Sequence, residues 1–158
     1  MKALCLLQPW ASLMAAGVKR IDTRTWETLY RGPLVICASK RWSQAQRDMS
    51  VDAAFQDSLR LAGYKEDRRL PLGQALCCVD LVGCDRIGAD GARQFFTPTF
   101  PYLCRMERAV EEGLGDFTPG RFAWLTTNVR RFTRPFPVRG RLGLFDVNDR
   151  LVQEALKP

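Results

Sequence analysis

Lys19, Asp22 and Arg24 fall within six residues of one another, directly behind the apolar stretch near the start of the chain: Gln8–Trp26 reads QPWASLMAAGVKRIDTRTW. An amine and a carboxylate this close are raw material for acid–base chemistry. The lysine is a nucleophile wherever its surroundings lower its pKa, and the aspartate is a base or an orienting group. The plainer reading is an Asp22–Arg24 ion pair on one face of a strand, worth little if exposed. Trp10 and Trp26 bracket the cluster and raise it above that reading. Cations interleaved with flat rings suit single-stranded nucleic acid, charge meeting phosphate and rings stacking on bases, although each tryptophan is also an ordinary core residue.

Two further segments carry similar chemistry. Gly120–Leu125 (GRFAWL) places Arg121 near Trp124, and beyond it Arg130, Arg131, Arg134, Arg139 and Arg141 follow without a single lysine. Guanidinium groups in such a run favour bidentate contacts to phosphate or carboxylate over loose solvation. Gly140 and Gly143 flank Arg141 and either let backbone approach a ligand or permit a bulge in the last strand. Lys40 follows an apolar run and adds one more cation.

Other chemistries are excluded by what the chain lacks. It contains no histidine, which removes Ser-His and Cys-His nucleophilic pairs and the commoner catalytic zinc sites. No Gly-rich phosphate loop of the Walker or dinucleotide type is present. Neither a metal nor an organic cofactor is expected. The six cysteines (Cys5, Cys37, Cys77, Cys78, Cys84, Cys104) form no Cys-x-x-Cys pair. Cys77 and Cys78 would point to opposite faces of a strand. Four of the six lie in apolar runs, where a free thiol behaves as a small hydrophobe, so a reduced, cytoplasmic protein is expected. MKALCLLQPWA has the outline of a weak secretory signal, but Gln8-Pro9 interrupts its apolar run. No window approaches about 18 apolar residues, and no membrane span is expected.

The formal net charge of +7 is unevenly placed. Residues 1–47 hold eight basic and two acidic side chains, and residues 117–145 hold six arginines and no acid. Residues 48–116 are acidic, with twelve carboxylates against eight cations. If the fold joins the two basic segments, they form one face suited to phosphates; otherwise they are solvated surface.

The elements that must position these groups follow from periodicity. Ala3–Leu7 reads as a first strand, Pro9 as the start of a helix and Gly17 as the left-handed residue that ends it. Lys19–Trp26 reads as a strand with Arg20, Asp22, Arg24 and Trp26 on one face. Leu34–Ser39 is a strand buried on both faces, and Ser43–Gly63 has helical spacing throughout. Lys65–Arg69 is a charged surface loop. Ala75–Ile87 is the longest strand, with Gly83 as a bulge. Residues 88–115 read as irregular, with a short helix from Cys104 to Glu112. Phe122–Val129 and Phe136–Val147 are two strands around a Pro-rich corner, and Asp149–Leu156 is a terminal helix. Residues 1–158 form one domain, large enough to bury a core without staples and 46% apolar. The class is α+β: a small mixed β-barrel of five or six strands with flanking helices.

The segments QPWASLMAAGVKRIDTRTW, RGPLVICASK, GRFAWLTTNVRRF and PVRGRLGLFDV, in this order, resemble the ASCH domain family of the PUA-like superfamily. The resemblance covers nearly the whole chain apart from the regions around residues 45–72 and 88–118. It implies a compact β-barrel with a cleft lined by the charged strand after the first helix. It also implies binding of RNA or other nucleic acids, in coactivator, translation-linked or phage settings. One branch of the family hydrolyses the acetyl amide of acetylated cytidine with a lysine, a threonine and a glutamate, and some relatives are ribonucleases. Residue by residue, that lysine falls on Lys19, while the threonine position holds Asp22. Thr23 would face the other side of a regular strand, and the glutamate, which lies in variable sequence, has no assignable counterpart.

Two readings emerge. In the first, the domain binds RNA or single-stranded nucleic acid through Gln8, Trp10, Lys19, Arg24, Trp26, Lys40, Arg121, Trp124, Arg139 and Arg141. In the second, it is a metal-independent hydrolase acting on RNA or on a modified nucleoside, with Lys19 and Asp22 catalytic.

Overall fold

The computed structural model describes residues 1–64, 70–91 and 105–158. Strands β1 (Lys2–Leu6), β2 (Ile21–Arg24), β3 (Gly32–Ala38), β4 (Gln74–Arg86), β5 (Phe122–Pro137) and β6 (Leu144–Asp146) form a single sheet in the order β2-β5-β4-β3-β1-β6. Only β1 and β3 run parallel; every other neighbouring pair is antiparallel. The sheet is a six-stranded mixed half-barrel. Among the described residues it carries five helices: α1 (Trp10–Ala15), α2 (Gln44–Ser50), α3 (Ala53–Leu61), α4 (Arg105–Leu114) and α5 (Asp149–Leu156). This is the α+β class that the strand and helix pattern implies.

Apolar residues on both sides of β1, β3 and β4 explain why those strands read as continuous hydrophobic runs. Leu4, Leu34, Ile36, Cys77 and Val79 pack on one face with Met14 of α1 and with Trp124. Ala3, Val35, Cys37 and Cys78 pack on the other with Phe132, Phe145 and with Val152 and Ala155 of α5. Cys77 and Cys78 therefore do point to opposite faces. No helix among the described residues is long and apolar enough to cross a membrane.

Three elements differ from their sequence reading. The helical stretch 43–63 is two helices. The Ser50 hydroxyl donates to the Arg47 carbonyl at 2.7 Å, and the Gln56 amide donates to the Ser50 carbonyl, so side chains occupy acceptors that a continuing helix would use. The Pro-rich corner is not a corner either. β5 runs on to Pro137, and register shifts in its ladder with β4 absorb the irregularity. The chain breaks only afterwards, between β5 and β6. Lastly, β2 is four residues long, so Lys19 and Arg20 precede the strand. The surface loop expected at 65–69 and Cys104 lie outside the described residues.

A mixed-charge cavity beside an arginine-lined one

Lys19 is placed by the end of α1. Gly17 adopts φ +75° and turns the chain, after which the Val18 and Lys19 amides both donate to the Leu13 carbonyl, at 3.1 and 3.2 Å. The lysine side chain is thereby driven inward and is 1% exposed. Its Nζ lies 3.4 Å from Oε2 of Glu111, which is also 1% exposed. The other Glu111 oxygen accepts from the Arg20 amide and, at 3.2 Å, from the Ile21 amide. Burial pushes the Glu111 carboxyl above the ordinary glutamate range, while Lys19 and the two backbone donors pull it back.

Above this pair opens a cavity of about 790 Å³, whose wall includes Trp10, Lys19, Asp22, Thr23, Arg24, Asp48, Asp52, Asp116 and Arg121. The Arg24 Nε donates to Asp22 at 2.6 Å, and its Nη2 donates to the Cys5 carbonyl at 3.1 Å. Arg121 bonds the Thr23 carbonyl at 3.1 Å and pairs with Asp116 at 3.3 Å. The Thr118 hydroxyl and amide, together with Arg121, hold the Asp116 carboxyl below its usual range. Trp10 donates its indole N–H to the Leu114 carbonyl at 2.7 Å and meets Phe55 edge-on, with centroids 5.5 Å apart. The hydrogen bond and the ring contact together hold Trp10 at the cavity wall.

A second cavity, also about 790 Å³, adjoins the first, and Arg24 and Leu7 line both. Its wall carries Lys40, Arg41, Arg139 and Arg141, with Cys5 at its base and no carboxylate among the described lining residues. The two basic segments, far apart in sequence, do meet here.

The remaining residues named from sequence sit elsewhere. Gln8 is fully buried, donating to the Pro71 carbonyl at 2.7 Å and accepting from the Ser12 amide at 3.1 Å, so its amide is committed to the fold. Trp124 is fully buried and Trp26 partly so. Their rings meet edge-on at 4.5 Å, and the Trp124 indole donates to the Trp26 carbonyl at 3.3 Å. None of these three residues lines either cavity. Thr23, by contrast, lines the same cavity as Asp22, although the two are neighbours on a strand. Glu111, Asp116, Arg41 and Cys5 were not singled out as site residues by sequence reasoning. None of them carried a local signal: Glu111 is buried on the same face of α4 as Leu114, three residues on, but its partners lie in a turn far earlier in the chain.

An α+β half-barrel with a charged cleft beneath its first helix is the class that this fold and site define. The chain belongs to the ASCH domain family, whose profile matches residues 4–136. It is 27% identical over 154 residues to activating signal cointegrator 1 of Mus musculus and to that of Homo sapiens. The match covers 98% of this chain and 23% of each relative, so the chain spans about a quarter of their length. Among solved structures, ASCH from Zymomonas mobilis aligns with a TM-score of 0.53 at 11% identity, covering 97% of this chain and 91% of that one. A tyrosine-to-phenylalanine variant from the same organism aligns equally, at 13% identity and 94% of its chain. These two likenesses establish the fold.

Proposed function

We propose that this domain binds RNA or another single-stranded nucleic acid, with a base or nucleoside in the mixed-charge cavity and its phosphates in the arginine-lined one. The observation that carries this reading is the junction at Arg24. One side chain lines both cavities, and the wall beyond it is cationic without a compensating carboxylate. Phosphate needs such a surface, whereas a base is neutral and needs hydrogen-bond partners and a ring, which Asp22, Thr23 and Trp10 supply. Membership of the ASCH family and the similarity to activating signal cointegrator 1 are in keeping with a nucleic-acid-related role. The test is binding of labelled single-stranded RNA over a range of salt. Affinity that falls steeply with salt supports the reading, since each neutralised phosphate releases counterions. Absence of binding at low salt overturns it.

A second reading, hydrolysis of RNA or of a modified nucleoside, is favoured by one observation: the Lys19–Glu111 pair. Burying two ionisable groups is costly, and such pairs cluster where chemistry is done. In this reading Lys19 meets charge developing on the substrate, Glu111 orients it, and Asp22 takes a proton from the attacking group. The family resemblance calls for a lysine, a threonine and a glutamate. On this reading Glu111 is taken for the glutamate, and Thr23 stands in the cavity beside Asp22. Purified protein incubated with RNA and with acetylated cytidine tests it. Unchanged substrates, or full turnover by Lys19→Ala, would sink it.

A further inference from the structure

The segment between β5 and β6 carries the residues RGRLG, and its leucine, Leu142, is fully exposed to solvent. A lone exposed leucine is ordinary on a protein surface. Leu29, 91% exposed in the loop before β3, is such a residue and lines neither cavity. Leu142 differs in its place. It stands on the wall of the arginine-lined cavity, and Arg139 and Arg141, both exposed, precede it on the same wall.

The loop that presents this side chain is held along its length. At its start the Val138 amide donates to the Gly73 carbonyl at 3.0 Å. Midway, a Cβ on Gly140 would fall 2.5 Å from the Cys5 Sγ, so the loop backbone lies directly on β1. Past the leucine, Gly143 turns the chain at φ +68°, and Leu144 pairs with Leu4 and packs on the core. The apolar tip is thus offered from an ordered backbone, which lowers the entropic cost of using it as a contact.

An apolar tip among guanidinium groups matches a single nucleic-acid strand. The phosphates meet the cations, and the faces of the bases accept an apolar side chain between them. A bilayer surface fits less well, since membrane insertion scales with buried apolar area and one leucine on a concave wall offers little of it. We propose that Leu142 is a wedge that enters between two neighbouring bases of a bound strand whose phosphates lie on Arg139 and Arg141. On the nucleic-acid reading above, on which this rests, the ligand is then a strand with stacked bases and not a lone nucleotide. The strand is opened beside the base that occupies the mixed-charge cavity.

The test uses the full chain and short oligoadenylates in which 2-aminopurine, dim when stacked and bright when unstacked, replaces one adenine at a time. Fluorescence is read at saturating protein, so that differences in affinity do not enter. The natural protein should brighten the probe. Part of that gain comes from the base lodged in the mixed-charge cavity, and Leu142→Ala should lose the rest. The same variant should bind about fivefold more weakly, the lower end of what one base contact contributes. Its salt dependence should be unchanged, because no charge is altered. Leu142→Phe should keep the full brightening, since a ring also parts two bases, and Leu29→Ala should change nothing. Full exposure of both leucines keeps folding out of the comparison. Salt-dependent binding with undiminished brightening in Leu142→Ala, or an equal loss in Leu29→Ala, overturns the wedge and leaves the binding reading standing. No binding of any oligoadenylate at low salt overturns both. Capture by phosphatidylserine vesicles that Leu142→Ala abolishes, with probe fluorescence unaltered, overturns the wedge by assigning the tip to a membrane surface.

Discussion

Lys19 and Glu111 stand 92 positions apart in sequence and meet at 3.4 Å with 1% of each side chain exposed. The pair joins the turn after α1 to α4. Because Gly113, Leu114, Gly115 and Asp116, all within five residues of Glu111, line the mixed-charge cavity, the pair bears on one of its walls. The Trp10 indole bonds the Leu114 carbonyl a turn further on and fixes the same juncture from the other side. The buried ion pair and the indole thus hold α4 against the cavity alongside the packing of Leu114 with Leu13, Phe55 and Leu59.

Removing one member of that pair should cost more than removing both. Glu111→Ala leaves an uncompensated ammonium in the interior and strips the Arg20 and Ile21 amides of their acceptor. The expected loss is about 3–5 kcal/mol. Lys19→Met with Glu111→Leu replaces both charges by apolar bulk and should recover much of it, with a non-additive coupling of the order of 1–3 kcal/mol. Urea denaturation with the slope held constant reads both values. A loss under about 1 kcal/mol for the single change would mean that the pair is solvated.

The same carboxyl makes stability depend on pH in a definite direction. Its folded pKa is raised, chiefly by burial, from an ordinary value of 4.5. The folded state therefore holds the proton to higher pH than the unfolded chain does. Its stabilising contribution is full below the unfolded pKa and is lost as pH rises through the folded value. Glu111→Gln cannot titrate, so the stability advantage of the natural protein over this variant should shrink as pH rises from about 4.5. An advantage that grows over the same range would show that the Lys19 contact outweighs desolvation.

How much of this was legible follows from which contacts are local. The runs in β1, β3 and β4 revealed doubly buried strands because alternation and its absence are properties of neighbouring residues, and Gly17 and Gly83 marked a turn and a bulge for the same reason. The two helices within 43–63 were hidden because Ser50 and Gln56 break the spacing by side-chain bonds that periodicity does not register. Gln8 and Trp124 carry residue types suited to a ligand, but only the packing of α1 and β5 reveals that both face the core. Glu111 was the hardest to see. A glutamate in an amphipathic helix reads as solvated surface, and its partner belongs to a turn 92 residues earlier.

Gly83 offers a steric test of the β4–β5 bulge. A Cβ there would lie 2.6 Å from Leu125 Cδ1 and 3.2 Å from its Cγ. Leu125 is itself 9% exposed and packed with Ile21 and Ile87, so it has little room to retreat. Gly83→Ala should destabilise by about 1–3 kcal/mol, as overpacking does. Adding Leu125→Ala, which vacates the space, should make the further cost of the alanine at 83 nearly vanish. Thermal unfolding of the four combinations decides it; additive losses would place the strain elsewhere.

Arg24 lines both cavities and stands at their junction. It is held by Asp22 at 2.6 Å and by the Cys5 carbonyl at 3.1 Å, so its guanidinium is already oriented before a ligand arrives. Arg139 and Arg141 are exposed on the loop beyond it and lie only in the arginine-lined cavity. If phosphates occupy that cavity, Arg139→Ala and Arg141→Ala should each weaken single-stranded RNA binding and reduce the dependence of log K on log salt by about 0.7. Asp48→Asn, on the wall of the first cavity, should leave that slope unchanged, because a carboxylate neutralises no phosphate. Arg24→Ala should do more than lower the slope: it frees Asp22 from its partner and disturbs both cavities at once, so its loss of affinity should exceed that of either loop arginine. Equal losses for all three arginines, with equal slopes, would reduce the cavities to a general basic surface.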